Sequence, residues 1–333
     1  MADREKEQPP ALPAGVRSSN VATNGVELRV LEAGQGFPVL MLHGFPELAF
    51  SWRHQLPVLA KSGFRAIAPD QRGYGRSSRP DDVSLYDIEH LMADAIGLLD
   101  ALGHQKAVVV GHDWGSMVAW TLALRHPDRF AGVVGMSVPF VPRGELPPLQ
   151  VFRQLFASNF FYILYFQEPG VADADLGADP SKTLRRFLAG ITAGGDPASA
   201  AVAMSAPDGR GFVERLPEPD RLPDWLSNEE LDVYVSEFAR TGFTGGLNWY
   251  RNLDRNWELT ADLAGKKIEI PSMFIGGASD PTLFMAPPSV MSGWVTDHRG
   301  DVLLAGAGHW VQQERAAEVN AELLDFMKAV AGT

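Results

Sequence analysis

The sequence predicts an α/β fold, a mostly parallel twisted sheet flanked by helices, with a helical lid inserted into it. Short apolar runs that stop at Gly, His or Pro-Asp recur along the chain, as expected for strands buried on both faces. Amphipathic helical patterns separate these runs, and such alternation predicts right-handed crossovers between parallel strands. Residues 139–261 have no strand pattern and are instead helical, aromatic and rich in turns. This interruption predicts an insertion between two halves of one sheet.

The first two predicted strands, 17–23 and 26–32, form a hairpin. They flank Asn24-Gly25, a dipeptide that supplies the positive φ angles of a two-residue type I′ turn. Apolar runs predict the remaining strands at 39–42, 66–68, 107–110, 132–136, 268–275 and 302–304. The clearest helix is predicted over 85–102 from its three-and-four apolar spacing, with Gly103 ending it, and a last helix is predicted over 314–330.

At 333 residues the chain is long enough for one large domain with an insertion. The predicted organisation is a loose proline-containing leader over 1–16, a core made of 17–138 and 262–333, and a lid over 139–261. The leader has no apolar segment of the kind found in secretory signals, and no run approaches the roughly 18 apolar residues of a membrane helix. We therefore expect a cytoplasmic protein without a membrane partner.

The composition excludes several classes of function. Lys and Arg number 29 against 41 Asp and Glu, a net charge of −12, which argues against a nucleic-acid partner or an anionic membrane. The absence of cysteine excludes disulfides, thiolate metal sites and cysteine nucleophiles. The histidines form no HExxH pair, and no glycine-rich stretch matches a dinucleotide or Walker A loop. The sequence therefore predicts no metal and no cofactor.

The strongest chemical signal is Gly-His-Asp-Trp-Gly at 111–115, between a predicted strand and a predicted helix. Small residues two places before and after the centre allow the tight turn of a nucleophile elbow, which exposes one side chain above the sheet. Asp113 occupies the centre. These five residues alone fit equally well an ordinary aspartate near a helix start, where the helix dipole favours it.

Two later residues favour the catalytic interpretation. Asp280 and His309 each come just after a predicted strand, separated from it by glycines, so both are expected at the carboxyl ends of their strands. The chain order nucleophile, acid, histidine is the order of hydrolase triads on this scaffold. Phe45 and Trp114 are placed to supply the backbone N–H groups of an oxyanion hole.

Two further histidines are expected to be structural. His43 begins the motif that contains Phe45, and His112 should point away from the site behind Asp113.

The chain resembles the epoxide hydrolases of the α/β-hydrolase fold, over nearly everything after the leader. The motifs that carry this resemblance are His-Gly-Phe-Pro at 43–46, Arg-Gly-Tyr-Gly-Arg-Ser at 72–77, the elbow at 111–115, and two lid motifs at 162–170 and 247–252. The resemblance implies that Asp113 is the nucleophile, His309 the base and Asp280 its orienting acid. It also implies that Tyr162 and Tyr250 grip the epoxide oxygen.

An aspartate nucleophile suits the opening of an epoxide, because it leaves an ester that water can cleave, whereas serine would leave an ether. The aromatic and aliphatic density of the lid predicts an apolar pocket for a small hydrophobic epoxide, with Trp52 and Trp249 in its lining. Without the lid motifs, Tyr162 and Tyr250 would be interpreted as packing residues of the lid.

Two alternatives remain at this point. A haloalkane or haloacid dehalogenase shares the fold and the Asp nucleophile, but commonly has Asn where this chain has Phe45, or Arg where it has Trp114. A small-molecule receptor on the same fold would have no need of Asp113, Asp280 and His309 together. Incubation with styrene oxide separates these hypotheses, because only an epoxide hydrolase releases the diol.

Overall fold

A computed structural model of the chain describes residues 12–192 and 209–331. Residues 1–11 of the predicted leader and residues 193–208 of the predicted lid lie outside the described residues. The strands are β1 Arg17–Thr23, β2 Val26–Ala33, β3 Phe37–Leu42, β4 Phe64–Pro69, β5 Ala107–His112, β6 Phe130–Met136, β7 Ser272–Gly277 and β8 His298–Leu304. The described helices are α1 Gln55–Lys61, α2 Ile88–Ala101, α3 Trp114–Arg125, α4 Pro148–Leu155, α5 Tyr162–Tyr165, α6 Val171–Gly177, α7 Pro180–Gly190, α8 Phe212–Arg215, α9 Asn228–Thr241, α10 Thr244–Arg251, α11 Leu253–Leu259, α12 Val311–Glu314 and α13 Ala316–Val330.

These strands form one sheet in the order β1-β2-β4-β3-β5-β6-β7-β8. β1 pairs antiparallel with β2, and β2 with β4, while every later pairing is parallel. The predicted hairpin is confirmed: Asn24 and Gly25 both have positive φ, 44° and 74°. The predicted fold class, a mostly parallel sheet flanked by helices, is confirmed as well.

The sheet is covered on both faces, which explains why its central strands are mostly apolar. In β3, Val39 and Met41 pack in one buried cluster, and Leu40 and Leu42 pack in another on the opposite face. The cluster around Leu40 and Leu42 continues into the helices between β6 and β7. Because successive residues of a strand point to opposite faces, a strand covered on both sides has no room for a polar position.

The first long helix starts later than its apolar spacing predicts. α2 begins at Ile88, because the Asp87 side chain accepts a hydrogen bond from the His90 N–H and caps the helix there. The apolar residues just before it belong to a 3₁₀ turn, Val83–Tyr86. Its end agrees with the prediction, since Gly103 adopts a φ of 79° directly after the last turn.

Two late elements also differ at their starts. The strand predicted over 268–275 begins only at Ser272, because Pro271 has no N–H to donate to a neighbouring strand. Ile268 instead makes an isolated bridge with Val295. The last helix, predicted over 314–330, begins at Ala316 as α13, because Arg315 has a φ of −128° that is not helical.

Between β6 and β7 the described residues form helices, turns and loops, and no strand. We propose that residues 139–261 are the lid and that 17–138 and 262–333 are the core. α9 joins the two parts through ion pairs, Glu230 with Arg53 at 2.6 Å and Glu237 with Arg76 at 2.8 Å. Of the helices described, none is both long enough and apolar enough to cross a bilayer.

Candidate active site

Asp113 occupies the sharp turn between β5 and α3. Its φ of 53° and ψ of −119° lie outside the regions that non-glycine residues normally adopt. Two glycines make the turn possible: a side-chain carbon at Gly111 would collide with the carbonyl of Gly115, and one at Gly115 with the carbonyl of Leu42. The tight turn that the sequence predicts is therefore present, and it lies at the carboxyl end of the sheet, where α/β folds carry their sites.

Two backbone N–H groups contact the Asp113 carboxylate. The N–H of Phe45 donates to Oδ1 at 2.8 Å. The N–H of Trp114, the next residue in the chain, also hydrogen-bonds the carboxylate. These are the two N–H groups that the sequence singles out, and here both act on the carboxylate of the aspartate itself.

His309 lies between the two aspartates. Its Nδ1 is 3.0 Å from Oδ2 of Asp280 and 3.2 Å from Oδ1, while its Nε2 is 3.7 Å from Oδ2 of Asp113. Asp280 is itself held in place, because its Oδ1 accepts hydrogen bonds from the N–H of Thr282 at 2.9 Å and from its hydroxyl at 2.8 Å. The three residues that the sequence places after separate strands therefore meet in one site.

Burial and charge shift the pKa values of this group. Burial raises the pKa of the Asp113 carboxyl, against the opposing effect of His309. Burial alone would lower the pKa of His309, but the carboxylates of Asp280 and Asp113 outweigh it and raise that pKa to about 9. Burial would raise the pKa of Asp280, yet the contacts with His309 and Thr282 lower it. The resting site thus favours the imidazolium form of His309 at neutral pH.

The peptide groups of His309 are fixed from several directions. Its N–H donates to the carbonyl of Ile191 at 3.0 Å, at the end of α7. Its carbonyl accepts a hydrogen bond from the Ser137 hydroxyl at 2.7 Å and contacts Nε2 of His112 at 2.8 Å. His112 does not line the cavity, as the sequence predicts, but it supports the loop that carries His309.

Glu47 is a residue of this network that sequence reasoning missed. It is fully buried, and its Oε2 is 2.6 Å from Nδ1 of His112 and accepts from the N–H of Gly44 at 3.0 Å. Its Oε1 accepts hydrogen bonds from the side-chain amides of Gln312 and Gln313. Burial would raise the pKa of Glu47, but His112 outweighs it and lowers that pKa to about 2. One carboxylate therefore ties together the loop of Phe45, the elbow and the loop of His309.

A cavity opens over Asp113 and His309, and Tyr162 and Tyr250 line it. The centroids of the two tyrosine rings are 6.1 Å apart, and the Tyr250 ring is 5.0 Å from that of Trp114. Burial raises the pKa of both phenols above their ordinary value, so both keep their protons at neutral pH. The other described lining residues are mostly apolar: Phe45, Phe187, Gly190, Ile191, Phe212, Leu216, Pro217, Pro281, Thr282, Met285 and Trp310.

The prediction that Trp52 lines this cavity is wrong. Trp52 is fully buried in the cluster on the opposite face of the sheet, with Val39 and Met41, because its 3₁₀ turn leads into α1 on that face.

The same prediction for Trp249 is also wrong. Trp249 is fully buried behind the cavity, where its Nε1 donates to the carbonyl of Arg72 at 3.1 Å. Successive helical residues point about 100° apart, so Tyr250 of α10 reaches the cavity and Trp249 cannot.

Comparison with known proteins assigns the family. Residues 38–316 match the family described as alpha/beta hydrolase fold. The chain is 58% identical over 309 residues to Epoxide hydrolase A of Mycobacterium tuberculosis (strain ATCC 25618 / H37Rv), covering 92% of this chain and 96% of that protein. The chain belongs to the epoxide hydrolase family. The family and the class of enzyme predicted from the sequence are thus confirmed over the dehalogenase and receptor alternatives.

Solved structures agree with this assignment. One is the crystal structure of Epoxide Hydrolase A from Mycobacterium thermoresistibile. Its chain is 55% identical in sequence to this epoxide hydrolase and superposes on it with a TM-score of 0.91, over 94% of this chain and 98% of that one. An epoxide hydrolase from an endophytic Streptomyces is 42% identical with a TM-score of 0.93, covering 96% and 97%. In this member of the family, no group of three His, Asp or Glu side chains among the described residues could hold a metal ion.

Proposed function

We propose that this enzyme converts a hydrophobic epoxide and water to a vicinal diol through an ester on Asp113. The observation that carries the proposal is the direction of the two N–H groups. In a serine hydrolase such a pair faces a carbonyl of the substrate. Here the N–H groups of Phe45 and Trp114 face the carboxylate of Asp113, and that of Phe45 donates to Oδ1. Such a pair stabilises the oxyanion that forms when an ester of Asp113 is itself hydrolysed.

In the first step, a carboxylate oxygen of Asp113 attacks a ring carbon of the epoxide. Oδ2 is suited to this attack, because Oδ1 is occupied by the N–H of Phe45. The ring C–O bond breaks as the new C–O bond forms, and the ring oxygen takes the electron pair. Tyr162 and Tyr250 donate hydrogen bonds to that oxygen, and one of them supplies its proton. The product of this step is a hydroxyalkyl ester of Asp113.

In the second step, water cleaves the ester. Nε2 of His309 accepts a proton from water, whose oxygen attacks the carboxyl carbon of Asp113. The N–H groups of Phe45 and Trp114 hold the oxyanion, and its collapse expels the diol oxygen, which takes a proton from His309. Asp280 keeps the ring oriented and stabilises its charged form. Collapse leaves Asp113 as a carboxylic acid that carries the second proton of the water. That proton replaces the one the tyrosine gave up, so the enzyme returns to its starting state.

The cavity supports a hydrophobic substrate. Apart from Asp113 and His309, none of its described lining residues carries a charge, and its walls are aromatic and aliphatic. Such a lining excludes water and offers no partner for a carboxylate or phosphate on the substrate.

The origin of the diol oxygen tests the covalent route. In a single turnover with enzyme in excess in heavy-oxygen water, we expect an unlabelled diol and a labelled peptide containing Asp113, both measured by mass spectrometry. The attacking oxygen belongs to the enzyme, and water enters only at the carboxyl carbon. Repeated turnover should then pass the label into the diol. A fully labelled diol in the first turnover, with Asp113 unlabelled, would leave His309 and Asp113 as bases acting on water.

The two steps should differ in their dependence on pH. The pKa of His309 is raised to about 9 partly by the negative charge of Asp113, and esterification removes that charge. When Asp113 is esterified, the pKa of His309 should therefore fall below 9. The rate of ester hydrolysis should rise with pH as His309 loses its proton, with an inflection below pH 9. Stopped-flow single turnovers over a pH series measure this. An inflection for hydrolysis at or above pH 9 would contradict the assignment of His309 as the base.

A further inference from the structure

Ser137 stands directly after β6, between the loops that carry Asp113 and Asp280 in the sheet order. It is fully buried and has a φ of 63°, although it is not glycine. The N–H of Val138 donates to the carbonyl of Met136 at 2.7 Å, so the chain makes a three-residue turn centred on Ser137. A turn of this kind with positive φ is rare and strained, and such strain is concentrated at functional sites.

The side chain and the backbone of Ser137 bind two different catalytic loops. Its hydroxyl donates to the carbonyl of His309 at 2.7 Å. Its own carbonyl accepts a hydrogen bond from the hydroxyl of Thr282 at 3.0 Å, and that hydroxyl is also 2.8 Å from Oδ1 of Asp280. Ser137 thus joins the loop of His309 to the loop of Asp280. Its own N–H donates to the carbonyl of Ile275, which anchors both loops to the sheet.

The unusual backbone conformation accounts for this double contact. A residue continuing β6 in extended conformation would direct its carbonyl to the neighbouring strand and its side chain to a face of the sheet. The turn at Ser137 instead directs the hydroxyl and the carbonyl to two loops beyond the ends of β7 and β8. The positive φ of Ser137 and its hydroxyl are separate properties. Glycine keeps the backbone conformation without a hydroxyl, and alanine removes the hydroxyl while keeping a side-chain carbon.

We propose that Ser137 is a positioning residue for hydrolysis of the ester on Asp113. By holding the backbone of His309 in register with Asp280, it keeps Nε2 of His309 at the distance from which it activates water. The proposal rests on the covalent mechanism above. Ring opening uses Asp113 and the two tyrosines. Among the described residues the Ser137 hydroxyl hydrogen-bonds His309 rather than any of these three, so that step should not depend on it.

The expected effect is moderate, because the carbonyl of His309 has a second partner in His112. Loss of one neutral hydrogen bond typically corresponds to about a fivefold change in rate. We expect Ser137→Ala and Ser137→Gly each to slow ester hydrolysis about fivefold, to leave alkylation within twofold of the wild-type rate, and to accumulate the ester in the steady state.

The two variants separate positioning from general stability. Glycine adopts positive φ without strain, so Ser137→Gly should melt at a higher temperature than Ser137→Ala, yet both should hydrolyse the ester equally slowly. Ser272→Ala is the matched control: Ser272 is fully buried, and its hydroxyl donates to the carbonyl of Ile270 at 2.7 Å at the amino end of β7. It should keep both rates.

The measurements are stopped-flow single turnovers with a hydrophobic epoxide, intact mass spectrometry and thermal melting. Hydrolysis at the wild-type rate in both Ser137 variants would overturn the proposal. So would rates of alkylation and hydrolysis that fall together in proportion to the loss of stability. If the wild-type enzyme forms no ester at all, the covalent mechanism fails, and that outcome is distinct from a failure of the role of Ser137 alone.

Discussion

Replacement of His309 by glutamine should trap the ester on Asp113. In the proposed mechanism, alkylation needs the Asp113 carboxylate and a proton donor but no base, whereas hydrolysis needs His309 to take a proton from water. General-base catalysis is typically worth 10²- to 10⁴-fold, so hydrolysis in His309→Gln should slow by about that factor. Asp113→Ala should lose turnover by about four orders of magnitude or more, because it removes the nucleophile itself.

Intact mass spectrometry after mixing with epoxide measures this division. His309→Gln should gain the mass of the substrate, and Asp113→Ala should remain unmodified. His298→Gln is a matched control, because His298 forms a second His–Asp pair with Asp301 at 2.8 Å, far along the chain from the elbow and partly exposed. It should turn over normally. An unmodified His309→Gln protein that also releases no diol would refute the assignment of His309 to the second step.

Removal of both tyrosine hydroxyls should slow ring opening severely. Tyr162 and Tyr250 line the cavity over Asp113, and burial keeps both protonated. Loss of one donor to a developing oxyanion typically costs up to 10²- to 10³-fold. Each single Phe variant should lose less than this, since the remaining hydroxyl partly compensates, and the double variant should be far slower than either. The effects should therefore not add.

Stopped-flow alkylation rates test this expectation, with ester hydrolysis measured in the same traces and expected to change little. Tyr165→Phe is the control, because Tyr165 lies on the same short helix as Tyr162 but is not among the residues lining the cavity, and its hydroxyl contacts Asp175 at 3.3 Å. Near wild-type alkylation in the double variant would show that the two tyrosines only pack the lid.

Much of the site could be predicted because a parallel sheet collects the ends of its strands at one edge. Asp113, Asp280 and His309 each follow an apolar run through small residues, and chain order alone places them at that edge. The glycines at 111 and 115 also indicate the tight turn in the sequence, because only a residue without a side chain fits where two backbones approach each other closely. The roles of the tyrosines came from the resemblance of the lid motifs to a family rather than from any pattern of spacing.

The directions of individual side chains were not predictable in the same way. An aromatic residue near the site was expected to line it, yet Trp52 packs under the sheet and Trp249 packs behind the cavity. Glu47 is the opposite case, because a loop glutamate is ordinarily exposed. It is buried here among partners far along the chain: His112, 65 positions away, and the side-chain amides of Gln312 and Gln313.

The sequence by itself determined the sheet, the elbow and the identity of the three residues at its edge, because these depend on apolar runs, glycines and chain order within a few neighbouring residues. Only the tertiary structure decided which oxygen of Asp113 the N–H of Phe45 holds, how Glu47 and Ser137 brace the loop of His309, and which aromatic rings face the cavity. Those outcomes depend on contacts between residues far apart in the chain, such as Ser137 with His309, and on the direction of each side chain within a packed core. A local pattern carries no information about either.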